Sequence, residues 1–190
     1  PPPFFNDPST TEIYSRLYSS AASDVYKRQG IGSMSQDLRN PEGLDEFVTR
    51  CNALGKKLKE AGIFLVYHNH DFEFEKKNGE TWLQYMLDGF DSSCVQLEID
   101  TYWVQSGGGN PVTWINKVSG QMGVVHLKDM RIVKSEQQFA EIGEGNMEWV
   151  NILEACERAG VKYGAVEQDS FTDDPLKRLE MSMAYLKSLN

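Results

Sequence analysis

The sequence predicts an α/β chain built on parallel strands with helices outside them, in a number that makes about half of an eight-stranded barrel. Three observations predict it. Helical and strand patterns alternate about four times between residue 40 and the C-terminus. No hairpin signal separates one strand from the next, so each crossover passes through a helix, as parallel pairing requires. The first strand, Ile63 to Tyr67, is a continuous apolar run, as expected of a strand buried on both faces. An open doubly wound sheet fits the same pattern.

Each element has its own local cause. Asn40-Pro41-Glu42 starts a helix, with a capping side chain followed by proline at the first position. Leu44, Phe47, Val48, Cys51, Leu54 and Leu58 repeat at helical spacing until Gly62 stops the helix. After the strand at 63–67, a short helix carries Trp82, Tyr85 and Met86, and Val95 to Ile99 forms the second strand. Asn110-Pro111 opens a helix with Val112, Ile115 and Val118 on one face, and Met122 to Val125 follows as a strand. Asn146 is expected to cap a helix with Met147, Val150, Leu153 and Ala159 inward, closed by Gly160. Tyr163 to Val166 is the last strand, and Leu176, Leu179, Met183 and Leu186 mark a final amphipathic helix. Gly107-Gly108-Gly109 lacks the spacing of a phosphate-binding fingerprint and is expected in a strand-to-helix loop.

Residues 1–29 show no sustained period. Ser19 to Gln29 resembles a translated sequencing adaptor over eleven consecutive residues, so 1–29 is expected to be non-native and disordered, with 30–190 as the folded domain. On this view the N-terminal half of the barrel is missing.

The net charge of −9 disfavours a nucleic-acid partner, because an acidic surface repels a phosphate backbone. No apolar run approaches the roughly 20 residues a bilayer crossing needs, so no membrane partner is expected. Cys51, Cys94 and Cys156 form neither a CxxC pair nor a disulfide framework, which points to a reducing, cytoplasmic setting.

Chemistry gathers where strands end. The first strand runs into His68-Asn69-His70-Asp71-Phe72-Glu73, the second into Glu98-Ile99-Asp100, the third into His126-Leu127-Lys128-Asp129 and the fourth into Glu167-Gln168-Asp169. All three histidines fall in these places. In a parallel barrel these ends share one face, and imidazole with carboxylate suits Mn²⁺, Zn²⁺, Co²⁺ or Fe²⁺ better than Ca²⁺. Taken singly, each has a blander use: a histidine bonded within a loop, Asp100 or Asp129 as a helix cap, Glu167 paired with a lysine. Repetition at four successive strand ends favours one shared site. Alternation points Lys128 to the same side as His126. Phe72, Tyr102 and Trp103 divide between pocket wall and core, while Lys56-Lys57 and Lys76-Lys77 are expected to be solvated.

Tyr-His-Asn-His at 67–70, Leu-Glu-Ile-Asp-Thr-Tyr-Trp at 97–103, Val-His-Leu-Lys-Asp at 125–129, Gly143-Glu-Gly145 and Val-Glu-Gln-Asp at 166–169 together resemble the xylose isomerase-like TIM-barrel superfamily of sugar phosphate isomerases and epimerases, related to inosose dehydratases and endonuclease IV. The resemblance covers 30–190, as the last strands (about five to eight) of a (β/α)8 barrel, and it rests on the order and spacing of the motifs. It implies one divalent metal, Mn²⁺ foremost with Zn²⁺, Co²⁺ and Mg²⁺ as alternatives, held by two Glu, one Asp and one His. Asp100, His126 and Glu167 match three of these ligands. His68 stands where the epimerases carry glutamate, so the fourth ligand is His68, His70 or Glu73, and Glu73 is the expectation. Trp103 replaces a further histidine of the endonuclease IV branch, which argues against DNA repair.

The implied chemistry is proton abstraction beside a carbonyl through an enediolate, with Glu167 and His68 as acid–base groups and Lys128 holding a substrate oxygen. His70, Tyr102 and Trp103 are expected to bind a small sugar. Isomerisation or epimerisation is expected. A lyase on the same scaffold, either an inosose-type dehydratase or an enzyme cleaving 3-keto-glycosides, shares the first step. An inactive, poorly soluble gene fragment is the non-catalytic alternative, and a complete protein is expected to be active, in a form open to homo-oligomerisation.

Overall fold

The structure, a computed structural model, describes residues 27–170 and 174–189. Five strands, β1 (Arg28–Ile31), β2 (Phe64–His68), β5 (Val95–Asp100), β6 (Val124–Leu127) and β9 (Tyr163–Val166), form one sheet in the order β1-β2-β5-β6-β9. Every pair is parallel, and the register sets His68 beside Glu98 and Asp100 beside His126. The curled sheet is a half-barrel, as the alternation of patterns requires.

Side-chain alternation along the strands separates two layers. Leu65, Tyr67, Val95, Leu97, Ile99, Val125 and Leu127 join the core between sheet and helices. The intervening positions, His68, Glu98, Asp100 and His126 among them, turn to the other face. Against the core pack α1 (Pro41–Glu60), α2 (Trp82–Gly89), α3 (Thr101–Ser106), α4 (Pro111–Lys117), α5 (Trp149–Arg158) and α6 (Pro175–Ser188). The expected caps are present: Asn40 accepts from the Gly43 N–H at 2.8 Å and Asn110 from the Thr113 N–H at 2.9 Å.

Four expectations are corrected. The sheet has a fifth strand, β1, beyond the four expected. Arg28 and Gln29 pair with Phe64 and Leu65, and Arg28 Nε donates to Gln96 Oε1 at 3.3 Å. Residues 1–26 lie outside the described residues. Hairpins do occur. β3 (Lys76–Lys77) and β4 (Glu80–Thr81) turn at Asn78-Gly79, and β7 (Asp129–Val133) and β8 (Glu136–Ala140) turn at Lys134-Ser135, all four turn residues having positive φ. Helix α5 starts at Trp149, not Asn146. Its buried stripe is Trp149, Ile152, Ala155 and Cys156, leaving Val150 exposed, while the Asn146 side chain accepts from the Ile132 N–H of β7. Leu54 of α1 and Leu176 of α6, both in the expected apolar repeats, are exposed.

All three cysteines are buried and free. Among the described residues no helix is long and apolar enough to cross a membrane.

Candidate metal centre

Parallel strands deliver their C-terminal ends to one edge of the sheet. His68 ends β2, Asp100 ends β5, His126 lies in β6, and Glu167 directly follows β9. Each offers one ligand atom, and the four atoms lie within 4.8 Å of one another. Asp100 Oδ2 is 4.0 Å from both His68 Nε2 and His126 Nδ1, and His126 Nδ1 is 2.9 Å from Glu167 Oε2. Lys128, fully buried, places Nζ 3.2 Å from Asp100, 3.0 Å from Glu167 and 2.9 Å from Asp169. The group opens into a cavity of about 440 Å³ whose wall includes Gly30, Gly32, His70, Trp103 and Asp169.

Short polar clamps hold the strand ends. Asn69, fully buried, accepts the Asp100 N–H at 3.0 Å and so ties the loop after β2 to β5. The Thr101 hydroxyl accepts from the Lys128 N–H at 2.9 Å and donates to the Lys128 carbonyl at 2.8 Å, tying β5 to β6. Asp100 has two uses at once: Oδ1 caps α3 by accepting the Trp103 N–H at 3.1 Å, while Oδ2 faces the site.

Burial and neighbouring charge set the protonation states. Burial pushes the Asp100 carboxyl up to about 6, opposed by Lys128. Burial also drives His68 down to about 3, helped by His126 and His70, so it is neutral. For His126 burial opposes the charge, but hydrogen bonds to Glu167 and Glu98 outweigh it and raise the imidazole to about 10. The His126 hydrogen bond, then Lys128, holds Glu167 well below the usual carboxylate range.

The residues expected at a site do not all converge. His68, Asp100, His126, Lys128 and Glu167 do, and His70 and Trp103 line the cavity. Glu73 does not. Its buried carboxylate accepts from the Tyr67 hydroxyl and, at 2.8 Å, from the His70 N–H, and this bracing of the loop keeps it away from the ligand atoms. His68 takes the place expected for it in the four-membered group. Tyr102 is buried between Trp103 and Phe139, with ring centroids 4.9 and 4.4 Å away, and is not on the cavity wall.

Two further strand-end residues take roles the sequence did not assign them. Glu98 reaches His126 Nε2 at 3.1 Å, and the period of two that places Asp100 inward places Glu98 there too. Asp129 collects the N–H groups of Met130, Gly143 and Gly145 and the Trp149 indole N–H, at 2.7–3.2 Å. The Gly143-Glu-Gly145 motif is thereby explained structurally: a Cβ on Gly145 would strike the Asp129 carboxylate.

The residues fit a divalent cation. Asp100 Oδ2 is buried without a well-directed hydrogen bond, and His68 Nδ1 is likewise unpartnered. Two imidazoles and two carboxylates are a donor set for borderline first-row ions.

The sequence model of the xylose isomerase-like TIM barrel matches residues 25–189. The chain belongs to that family. An inosose dehydratase from Clostridium beijerinckii is 27% identical over 154 residues, 72% of this chain and 51% of that protein. The chain thus spans about half the length of the curated relatives it matches. A solved sugar phosphate isomerase/epimerase from Parabacteroides distasonis shares the fold with a TM-score of 0.69 at 23% identity, over 95% of this chain and 66% of that one. A xylose isomerase-like TIM barrel protein from Mycobacterium smegmatis, solved in complex with magnesium, matches with a TM-score of 0.65 at 15% identity, over 94% and 65%.

Proposed function

We propose that this family member carries the centre of a divalent-metal-dependent enzyme that removes a proton beside the carbonyl of a small keto-sugar and so isomerises or epimerises it. The observation that carries the proposal is the convergence of His68, Asp100, His126 and Glu167 from neighbouring parallel strands within 4.8 Å. These four would hold the ion, with Mn²⁺ as first choice and Mg²⁺, Zn²⁺ or Co²⁺ as alternatives. When bound, the ion supplies Lewis acidity and a template for adjacent substrate oxygens.

The remaining steps belong to the protein. Glu167 is assigned the first proton transfer, which requires its carboxylate to leave the ligand group and its His126 hydrogen bond to act as base. His68, assigned from sequence as the second acid–base group, lies within the ligand group. The imidazole left on the cavity wall is His70, which burial keeps neutral, and the second transfer is assigned to it. Lys128 presents an ammonium to a substrate oxygen as negative charge develops there. Trp103 offers a flat apolar surface to a sugar ring.

A lyase outcome is the second reading. It is favoured by the similarity to an inosose dehydratase, and in it Lys128, a buried ammonium at the site, is assigned to the departing hydroxyl. Incubation with Mn²⁺ and candidate keto-sugars in D₂O separates the two, using this chain and a version extended upstream to its relatives' length. Deuterium incorporation into an isomeric product supports isomerisation or epimerisation. Loss of water or of an aglycone supports the lyase, and no turnover or exchange by either protein refutes both.

A further inference from the structure

We propose that Glu98 is a positioning residue that fixes which nitrogen of His126 is presented to the metal, an inference that rests on the metal centre proposed above. The imidazole is gripped at both edges. Nδ1 lies 2.9 Å from Glu167 and 4.0 Å from Asp100, both members of the four-residue group. Nε2 lies 3.1 Å from Glu98 Oε1, a carboxylate outside that group.

The two edges therefore do different work. An ionised carboxylate only accepts, so without an ion the imidazole donates to Glu167 from Nδ1 and to Glu98 from Nε2; when an ion displaces the Nδ1 proton, Glu98 keeps the remaining one on Nε2. That leaves the Nδ1 lone pair directed toward Asp100 and Glu167. Ligation through Nε2 would instead turn the lone pair onto Glu98, away from the residues of the group. A carboxylate behind a ligating imidazole fixes its tautomer and ring orientation and raises its basicity, and loss of such a partner costs metal affinity.

The fold places Glu98 for this task. It sits two residues before Asp100 on β5, on the same face and one layer deeper, paired in register with His68 of β2. Its side chain is 14% exposed and lines the cavity, and it meets His126 at Nε2 while Glu167 meets it at Nδ1.

The test loads the 190-residue chain with Zn²⁺, which is diamagnetic, and reads the side-chain ¹⁵N resonances of its three histidines. His126 should show a protonated Nε2 and a metal-shifted Nδ1; the opposite assignment overturns the proposal. In parallel, Glu98→Gln, which keeps the size but can offer an amide donor to Nε2, should weaken Zn²⁺ binding about 10- to 100-fold in a calorimetric titration, with the unfolding midpoint little changed. Undiminished affinity in Glu98→Gln, with tight binding by the unmutated chain, overturns the role of Glu98 alone. An unmutated chain that takes up no Zn²⁺ overturns the metal centre itself and this inference with it. If Glu98→Gln does not fold, the tautomer of the unmutated chain decides.

Discussion

Asn69 Oδ1 accepts the backbone N–H of Asp100 at 3.0 Å, a bond between two fully buried residues that joins the loop carrying His70 to the strand carrying the aspartate. Alanine at position 69 leaves that N–H unsatisfied at a cost of about 1–3 kcal/mol. Asn69→Ala should therefore lower the unfolding free energy by that amount in urea titration and weaken metal binding several-fold. Unchanged stability and affinity would remove Asn69 from the account.

Asp129, one of the polar residues at the strand ends, serves as a clamp in the structure. Its carboxylate gathers four donors from β7, the loop at 143–145 and α5, three of them on Oδ2. In Asp129→Asn an amide N–H must face some of those donors or leave them unpaired. The predicted loss is about 1–3 kcal/mol of stability for each donor left unpaired, at least as large as for Asn69→Ala. A variant as stable as the unmutated chain would contradict this.

Glu73 predicts a pH dependence of stability. Burial raises its carboxyl from 4.5 to about 7, although the Tyr67 hydroxyl and the His70 N–H oppose the shift. A carboxyl whose pKa is higher folded than unfolded binds its proton more tightly in the folded state. Its contribution is full below pH 4.5 and fades as pH rises through 7. The shift corresponds to about 3 kcal/mol. Glu73→Gln should flatten the decline in unfolding free energy between pH 5 and pH 8; an equally steep decline in the variant would show that Glu73 is not its source.

Trp103 lines the cavity beside His70, with ring centroids 5.3 Å apart. With a sugar substrate in hand, Trp103→Ala should raise KM about ten-fold with a smaller effect on kcat, since a stacking wall binds ground and transition states alike. A pure kcat defect would place Trp103 in the chemistry itself.

Much of this was legible in the sequence, and the exceptions have physical causes. Helix starts at Asn40 and Asn110 followed from cap-and-proline chemistry, and strand ends from apolar runs meeting polar residues. Asn78-Gly79 was a readable turn signal left unused. Lys134-Ser135 was not, because neither residue ordinarily favours the positive φ both adopt. β1 was missed because Arg28 and Gln29 fall in the stretch set apart for its adaptor resemblance, and Arg28-Gln29-Gly30-Ile31 has no apolar run of its own; its pairing with β2 is tertiary. Within the site, period-two alternation placed His126 and Lys128 together, and applied to β5 it would have found Glu98. Nothing local distinguishes Glu73 from a ligand. Only the fold shows Tyr67 directed at its carboxylate.

The central claim is that His68, Asp100, His126 and Glu167 hold one divalent ion. Titration of the 190-residue chain with Mn²⁺, followed by the loss of the free-ion electron paramagnetic resonance signal, tests it most directly. The prediction is one ion per chain, with affinity reduced at least about 100-fold in Asp100→Ala/His126→Ala while the variant stays folded by circular dichroism. No uptake by the unmutated chain, or equal uptake by the folded double variant, would contradict it.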